Sequence, residues 1–169
     1  QVSESFHLAQ LWKLPVVSVI ENTDYAMGTS LARASATVNL SQRGSSFGIP
    51  GETVDGMDVF AVKAAAEKAA EHARSGNGPY ILEMKTYRYR GHSMSDPAKY
   101  RTREEVTAVR EKRDPIEHLG LKLLDQKLAT EDDLKQIDKD IRSVVNTSAE
   151  VATESPGPDP VEPYTHAQA

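Results

Sequence analysis

Tyr80-Ile81-Leu82-Glu83-Met84 leads through Lys85 into Thr86-Tyr87-Arg88-Tyr89-Arg90-Gly91-His92-Ser93-Met94-Ser95-Asp96-Pro97-Ala98-Lys99-Tyr100-Arg101-Thr102-Arg103. The first five residues form a short apolar run, which predicts a buried strand. Thr102 to Glu105 carries the capping-box pattern that starts a helix. Between them lies a long, irregular, donor-rich loop. Connections in compact domains are usually short, and long ones are often functional. This loop offers Arg88, Arg90, Arg101 and Arg103 as phosphate-binding forks. His92 is its proton carrier near neutral pH. The competing reading is an ordinary solvated basic loop.

Upstream, Val16-Val17-Ser18-Val19-Ile20 is β-branched and reads as a second buried parallel strand. It is followed by Glu21-Asn22-Thr23-Asp24-Tyr25-Ala26-Met27-Gly28-Thr29-Ser30, a second polar loop. In open α/β sheets, ligands sit outside the carboxyl ends of the strands. If the two strands are parallel, both loops leave the sheet at one edge and face one cleft. Without that geometry, the second loop is a turn built from Asn, Asp and Gly.

The other segments are consistent with such a sheet. Residues 2–13 read as a helix stopped by Pro15, with Phe6 and Trp12 as core anchors and His7 structural. Gly44 to Gly51 is a connector punctuated by glycine and proline. Val54 to Asp58 is a short strand and turn, with Asp58 as N-cap of the next helix. That helix reaches about Ser75 with Val59, Val62, Ala66, Ala69 and Ala73 as its apolar stripe, and Gly76 takes the C-terminal cap position. The strand-helix-strand unit closing at 79–86 suits a crossover between parallel strands.

Three helical segments follow the central loop. Val106 and Val109 mark the first. Asp114-Pro115 opens the second, in which His118 is structural. Thr130 opens the third, whose stripe is Leu134, Ile137, Ile141, Val144 and Val151. The tail from Ser155 holds Pro156, Pro158, Pro160 and Pro163 and reads as extended, able to lie along a partner. The fold class is α/β: a parallel sheet with flanking helices, followed by a helical carboxyl-terminal region.

Composition limits the function classes. The chain has 169 residues, 27% charged and 38% hydrophobic, which suits a folded domain with a real core rather than disorder. A net charge of −5 argues against a general nucleic-acid or membrane-surface role. No apolar run approaches a membrane span. There is no cysteine, which excludes disulfides and cysteine-bound metals.

Residues 86–106 closely resemble the cofactor loop of the alpha subunits of pyruvate dehydrogenase, the thiamine-diphosphate-dependent decarboxylases. Tyr89-Arg90-Gly91-His92-Ser93-Met94-Ser95-Asp96-Pro97 is the most specific run. Relatives acting on branched-chain 2-oxo acids or acetoin share the plan but differ in this loop, so pyruvate is the favoured substrate. Glu21 to Ser30 resembles the second half of the thiamine-diphosphate motif, which begins with Gly-Asp-Gly. The resemblance implies a partial thiamine-diphosphate-binding fold over 1–100, a helical extension over 101–154 and a Pro-rich tail over 155–169. It covers the chain to about Tyr164, and the expectation is a carboxyl-terminal fragment that begins just after the Gly-Asp-Gly element.

The resemblance also implies the site. Asn22, Thr23, Tyr25, Ala26 and His92 become cofactor-binding residues, and His92 the catalytic one. Mg²⁺ would take the Thr23 side chain and the Tyr25 backbone carbonyl, its other side-chain ligand lying upstream. Mg²⁺ demands octahedral oxygen coordination. The family places asparagine where Thr23 stands; a hydroxyl is shorter and reaches a metal only if the backbone shifts. Ser93 and Ser30 match serines that are phosphorylated in mitochondrial members and are read here as loop residues.

The implied reaction is oxidative decarboxylation of pyruvate with acetyl transfer to a lipoyl group, feeding acetyl-CoA formation. The implied partners are a beta subunit, in a two-alpha, two-beta assembly, and the lipoyl-bearing acyltransferase. The alternative is a non-catalytic remnant that supports assembly only. The lack of cysteine, and Ala98-Lys99-Tyr100 in place of a second regulatory serine, point to a bacterial cytoplasm; the eukaryotic alternative is the mitochondrial matrix.

Overall fold

The computed structural model describes residues 1–165; residues 166–169, the end of the Pro-rich tail, lie outside the described residues. The chain divides into two compact units, residues 1–119 and 120–169. In chain order, the first unit contains α1 (Val2–Leu11), β1 (Val17–Asn22), a hairpin of β2 (Tyr25–Ala26) and β3 (Thr29–Ser30), and the single turn α2 (Leu31–Ala34). A 3-10 helix over Leu40–Phe47, β4 (Gly51–Asp55), α3 (Val59–Arg74), β5 (Tyr80–Lys85) and α4 (Arg103–Arg113) follow. The division between units falls within α5 (Pro115–Asp125).

β5 lies at the centre of a three-stranded sheet in the order β1-β5-β4, parallel to both neighbours. Its first five residues are all buried, as a central strand of a parallel sheet requires. Side chains alternate across a strand, so β5 serves two layers. Tyr80, Leu82 and Met84 pack with Val54 and with Ala65 and Ala69 of α3. Ile81 and Glu83 serve the opposite layer. Ile81 lies against Gly44 and Gly51, and Glu83 bonds to Leu40 and Ser41 in the 3-10 helix. β4-α3-β5 is the crossover unit that the sequence suggests.

The caps follow the sequence closely. Asp58 accepts from the amides of Phe60 and Ala61 at 2.8 and 3.1 Å, fixing the start of α3. Gly76 follows α3 at a φ of 76°, a left-handed conformation that glycine takes without strain. Asp114 accepts from the amides of Ile116 and Glu117 and starts α5.

Three expectations about burial change. The buried line of α3 is Ala65, Ala69 and Ala73, an i, i+4 row of small residues that lets helix and sheet approach closely. Val59 is exposed, while Val62 and Ala66 turn toward a groove of about 580 Å³ that they share with Val17, Val19 and Met84. β1, expected to be buried, is a sheet edge with Val19 55% exposed. Trp12, expected in the core, is 62% exposed. It caps α1 beyond the part covered by the 3-10 helix, where Phe6 meets Phe47 edge to face at 6.4 Å and Ala9 is buried.

In the second unit, α6 (Glu131–Glu154) starts at a full capping box between Thr130 and Asp133. Its stripe residues Ile137, Ile141, Val144 and Val151 are exposed. The tail, expected to be extended, makes the short helix α7 (Glu162–Thr165). No helix among the described residues is long and apolar enough to cross a membrane.

Glu83 is fully buried at the centre of the sheet. Burial alone pushes its carboxyl up. The hydrogen bonds from Asn22, Thr53 and the Ser41 and Leu40 amides outweigh burial and hold it below the usual carboxylate range. E83Q turns an amide N–H onto a donor and should cost about 1–3 kcal/mol at neutral pH. A folded-state pKa below the unfolded value of about 4.3 means the stabilisation is complete above that pH and is lost as pH falls through the folded value. Denaturant unfolding at stepped pH should therefore show the gap between wild type and E83Q shrinking in acid. A gap that widens there contradicts an ionised Glu83.

Candidate functional site

β1 and β5 are parallel neighbours with Asn22 opposite Lys85, so their exit loops leave from one edge of the sheet. The Thr86 amide donates to the Asn22 carbonyl at 2.8 Å, tying the two exits together at their roots.

The first exit loop is a tight hairpin. Asn22 is buried and both ends of its amide are occupied. Nδ2 donates to Glu83 Oε1 at 2.7 Å, and Oδ1 accepts from the Asp24 amide at 2.9 Å. That side-chain turn carries Asp24 into a left-handed conformation, φ 62°, which aspartate tolerates. The Asp24 carbonyl then accepts from the Leu31 amide at 2.8 Å and closes the hairpin. Thr23 and Tyr25 are half-buried, and Ala26 is exposed at the hairpin's side.

The Thr23 hydroxyl donates to the Tyr25 carbonyl at 3.3 Å. Adjacent ligands of an octahedral Mg²⁺ at 2.0–2.1 Å lie about 2.9 Å apart. The two oxygens that the resemblance assigns to the metal are 3.3 Å apart, close to that spacing. A cavity of about 170 Å³ lies against these residues, with Glu21, Leu31 and Leu40 also in its wall. Among the described residues no group of three or more His, Cys, Asp or Glu side chains could hold a metal. The two donors that the resemblance assigns are both oxygens, of the hard kind that Mg²⁺ takes.

The second exit loop is organised by Asp96. Its carboxylate accepts from the amides of His92 at 2.7 Å and Ala98 at 2.9 Å, and from the Tyr100 hydroxyl at 2.9 Å. The His92 amide, then that of Ala98, with the Tyr100 hydroxyl in support, hold the Asp96 carboxyl below its usual range despite some burial. Gly91 leaves no room for a side chain: a Cβ there would meet the Asp96 carbonyl oxygen at 2.7 Å.

Arg101 departs from the expected phosphate fork. It is buried, donates to the carbonyls of Arg88 and Arg90, and lies over the rings of Tyr87 and Tyr100. It staples the loop instead. Tyr87 and Tyr89 anchor the loop to the following segment through Glu105 and Asp114. Arg90 and Arg103 remain exposed. Arg88 Nη1 lies 3.1 Å from His92 Nδ1. An arginine N–H can only donate, so Nδ1 accepts and the ring N–H is on Nε2. His92 is exposed, as are Ser93, Met94 and Ser95 at the tip.

The loops meet. The Tyr25 and Tyr100 rings pack with centroids 5.1 Å apart and planes tilted by 36°. Asp96 holds Tyr100 and the His92 backbone at once, so contacts run unbroken from His92 to Tyr25. The structure places Thr23, Tyr25, Ala26 and His92 along one rim. Asn22 sits beneath it with its amide turned inward.

The sequence reading does not single out Glu83, Asp96 or Tyr100. Glu83 carries a usable signal: a lone carboxylate inside an apolar run must find donors once buried. Asp96-Pro97 carries a turn signal. Tyr100 has none, because its role depends on the neighbouring loop.

The family model "Dehydrogenase E1 component" matches residues 1–161. The "Pyruvate dehydrogenase E1 component subunit alpha" of Rhizobium meliloti (strain 1021) is 63% identical over 165 residues, covering 98% of this chain and 47% of that relative. Its counterpart in Zymomonas mobilis is 52% identical over 166 residues, covering 98% and 47%. The mitochondrial protein of that name in Dictyostelium discoideum is 52% identical over 167 residues, covering 98% and 44%. The chain spans about half the length of the curated relatives it matches.

Removing the Asp96 carboxylate should loosen the second loop and leave the sheet intact. In D96A, hydrogen exchange at the His92 and Ala98 amides should speed up by about tenfold or more, with Leu82 unchanged. Wild-type protection at His92 in D96A would show that Asp96 does not organise the loop.

Proposed function

The chain belongs to the dehydrogenase E1 component family, and we propose that it forms the carboxyl-terminal part of the alpha subunit of a pyruvate dehydrogenase. The reaction is oxidative decarboxylation of pyruvate with transfer of the acetyl group to a lipoyl group, which feeds acetyl-CoA formation. The observation that carries this reading is the shared rim, where Tyr25 and Tyr100 bring a hairpin with two spaced oxygens beside the loop of His92. The names of the relatives support pyruvate over other 2-oxo acids.

The cofactors of this reading are thiamine diphosphate and Mg²⁺. Thr23 Oγ1 and the Tyr25 carbonyl would hold the metal, with further oxygens from the diphosphate, water and a residue upstream of Gln1. Thiamine diphosphate, when bound, supplies the carbon nucleophile and electron sink that decarboxylation needs. This chain's residues position and move protons around it. Arg88 holds Nδ1 of His92, which leaves the Nε2 N–H as the group that would donate to an oxygen of the bound cofactor or substrate. Arg90 supplies an exposed cation suited to a diphosphate oxygen. Ala26 and the Asn22-supported hairpin line the small cavity beside Thr23 and Tyr25.

The partners are a beta subunit, which closes the open side of the rim in a two-alpha, two-beta assembly, and a lipoyl-bearing acyltransferase. A bacterial cytoplasm is the compartment we favour over a mitochondrial matrix; relatives of both kinds share the sequence.

The full-length subunit should be assembled with its beta partner, Mg²⁺ and thiamine diphosphate, and pyruvate consumption and acetyl transfer measured. Wild type should turn over, and H92A should lower acetyl transfer by about 10²- to 10⁴-fold. Absence of wild-type turnover above background favours the non-catalytic assembly role. T23N should tighten Mg²⁺; an unchanged affinity removes Thr23 from the ligand set.

A further inference from the structure

The two oxygens of Glu83 have separate tasks. Oε2 accepts from the Leu40 amide at 2.9 Å, the Ser41 amide at 3.1 Å and Thr53 Oγ1 at 2.8 Å, which joins β5 to the 3-10 helix and β4. Oε1 accepts from Asn22 Nδ2 alone, at 2.7 Å. A carboxylate can only accept, so Nδ2 must face Glu83 and Asn22 Oδ1 must point the other way. There Oδ1 receives the Asp24 amide and sets the turn on which Thr23 and Tyr25 ride. The Asp24 N–H can only donate and so asks for the same orientation from the other side, but Glu83 is the contact that ties that amide to the sheet's interior.

We propose that Glu83 is a positioning residue for the metal-type oxygens: it orients Asn22, which fixes the spacing of Thr23 Oγ1 and the Tyr25 carbonyl. This inference rests on the reading of those two oxygens as Mg²⁺ ligands. A buried carboxylate must have its oxygens hydrogen-bonded, and Glu83 divides that work between the layers of the sheet at Oε2 and the hairpin at Oε1. The chain of bonds from the core to the hairpin gives this carboxylate a second use. Partners of metal ligands commonly tune affinity in this way.

The test uses the full-length subunit assembled with its partner, with two readouts: Mg²⁺ titration in the presence of thiamine diphosphate, and exchange of the Asp24 amide without metal. E83Q keeps an oxygen for Leu40, Ser41 and Thr53 but turns its amide nitrogen against Asn22 Nδ2. It should speed Asp24 exchange and weaken Mg²⁺ by about 10- to 100-fold. E83Q/N22D reverses the polarity of the pair, the new amide donating to the new carboxylate, and should recover both readings. T53V removes a donor from Oε2 only and should leave Mg²⁺ affinity unchanged.

Three results overturn the proposal: E83Q with wild-type Mg²⁺ affinity, whatever its exchange; T53V as weak as E83Q; or no recovery in E83Q/N22D. If E83Q does not assemble, N22S breaks the same arm from the hairpin side and carries the same expectation. Failure of the ligand assignment itself appears separately, as a T23N titration indistinguishable from wild type.

Discussion

One buried carboxylate holds this domain's layers in register. Glu83 sits in the most enclosed strand of the sheet and collects donors from Asn22, Leu40, Ser41 and Thr53. Each donor belongs to a different stretch of chain except the adjacent pair at 40–41. Remove that acceptor and the buried donors of Asn22, Leu40 and Ser41, on the edge strand and the 3-10 helix, would be stranded in an apolar interior. That cost is what makes the arrangement specific. The apolar face of the same strand, Tyr80, Leu82 and Met84 on the alanines of α3, provides non-directional burial. Directional bonds on one face and close packing on the other fix where β5 ends, and hence where its exit loop begins.

From that point the site follows by geometry. Parallel pairing of β1 with β5 sends both loops to one edge. Each loop is then fixed by a side chain that imitates backbone pairing: Asn22 under the hairpin and Asp96 inside the longer loop. Tyr25 and Tyr100 join them. The rim is polar, and its tip is exposed from Ser93 to Ser95. The described residues thus present the two spaced oxygens of Thr23 and Tyr25 on one loop and a histidine on the other, with no group of three metal-ligating side chains among them.

Much of this was legible in the sequence, for identifiable reasons. The β-branched run at 16–20 and the apolar run at 80–84 gave strands because their composition suits little else, and Asp58, Gly76, Asp114 and Thr130 marked helix ends through the side-chain chemistry of caps. What could not be read was burial that depends on neighbours. Val19 is apolar and sits in a strand, yet it is exposed because the sheet ends at β1, and Trp12 is exposed because it follows α1 beyond the reach of the 3-10 helix. The α3 stripe was displaced because small alanines, and not the larger valines, set the contact distance. Arg101 looked like a ligand for phosphate until the tyrosines on either side and the two carbonyls in front of it claimed its guanidinium. The bond from the Thr23 hydroxyl to the Tyr25 carbonyl could not be read either, because it depends on the turn that Asn22 and Asp24 set.

The central claim is that two adjacent strand exits form one rim for a metal-bound diphosphate. A crystal structure of the assembled full-length subunit with Mn²⁺ and thiamine diphosphate, recorded with anomalous scattering from the manganese, addresses it most directly. The account predicts a manganese peak coordinated by Thr23 Oγ1 and the Tyr25 carbonyl, with the diphosphate lying between it and His92. Manganese elsewhere, or a diphosphate that touches only one of the two loops, would contradict it.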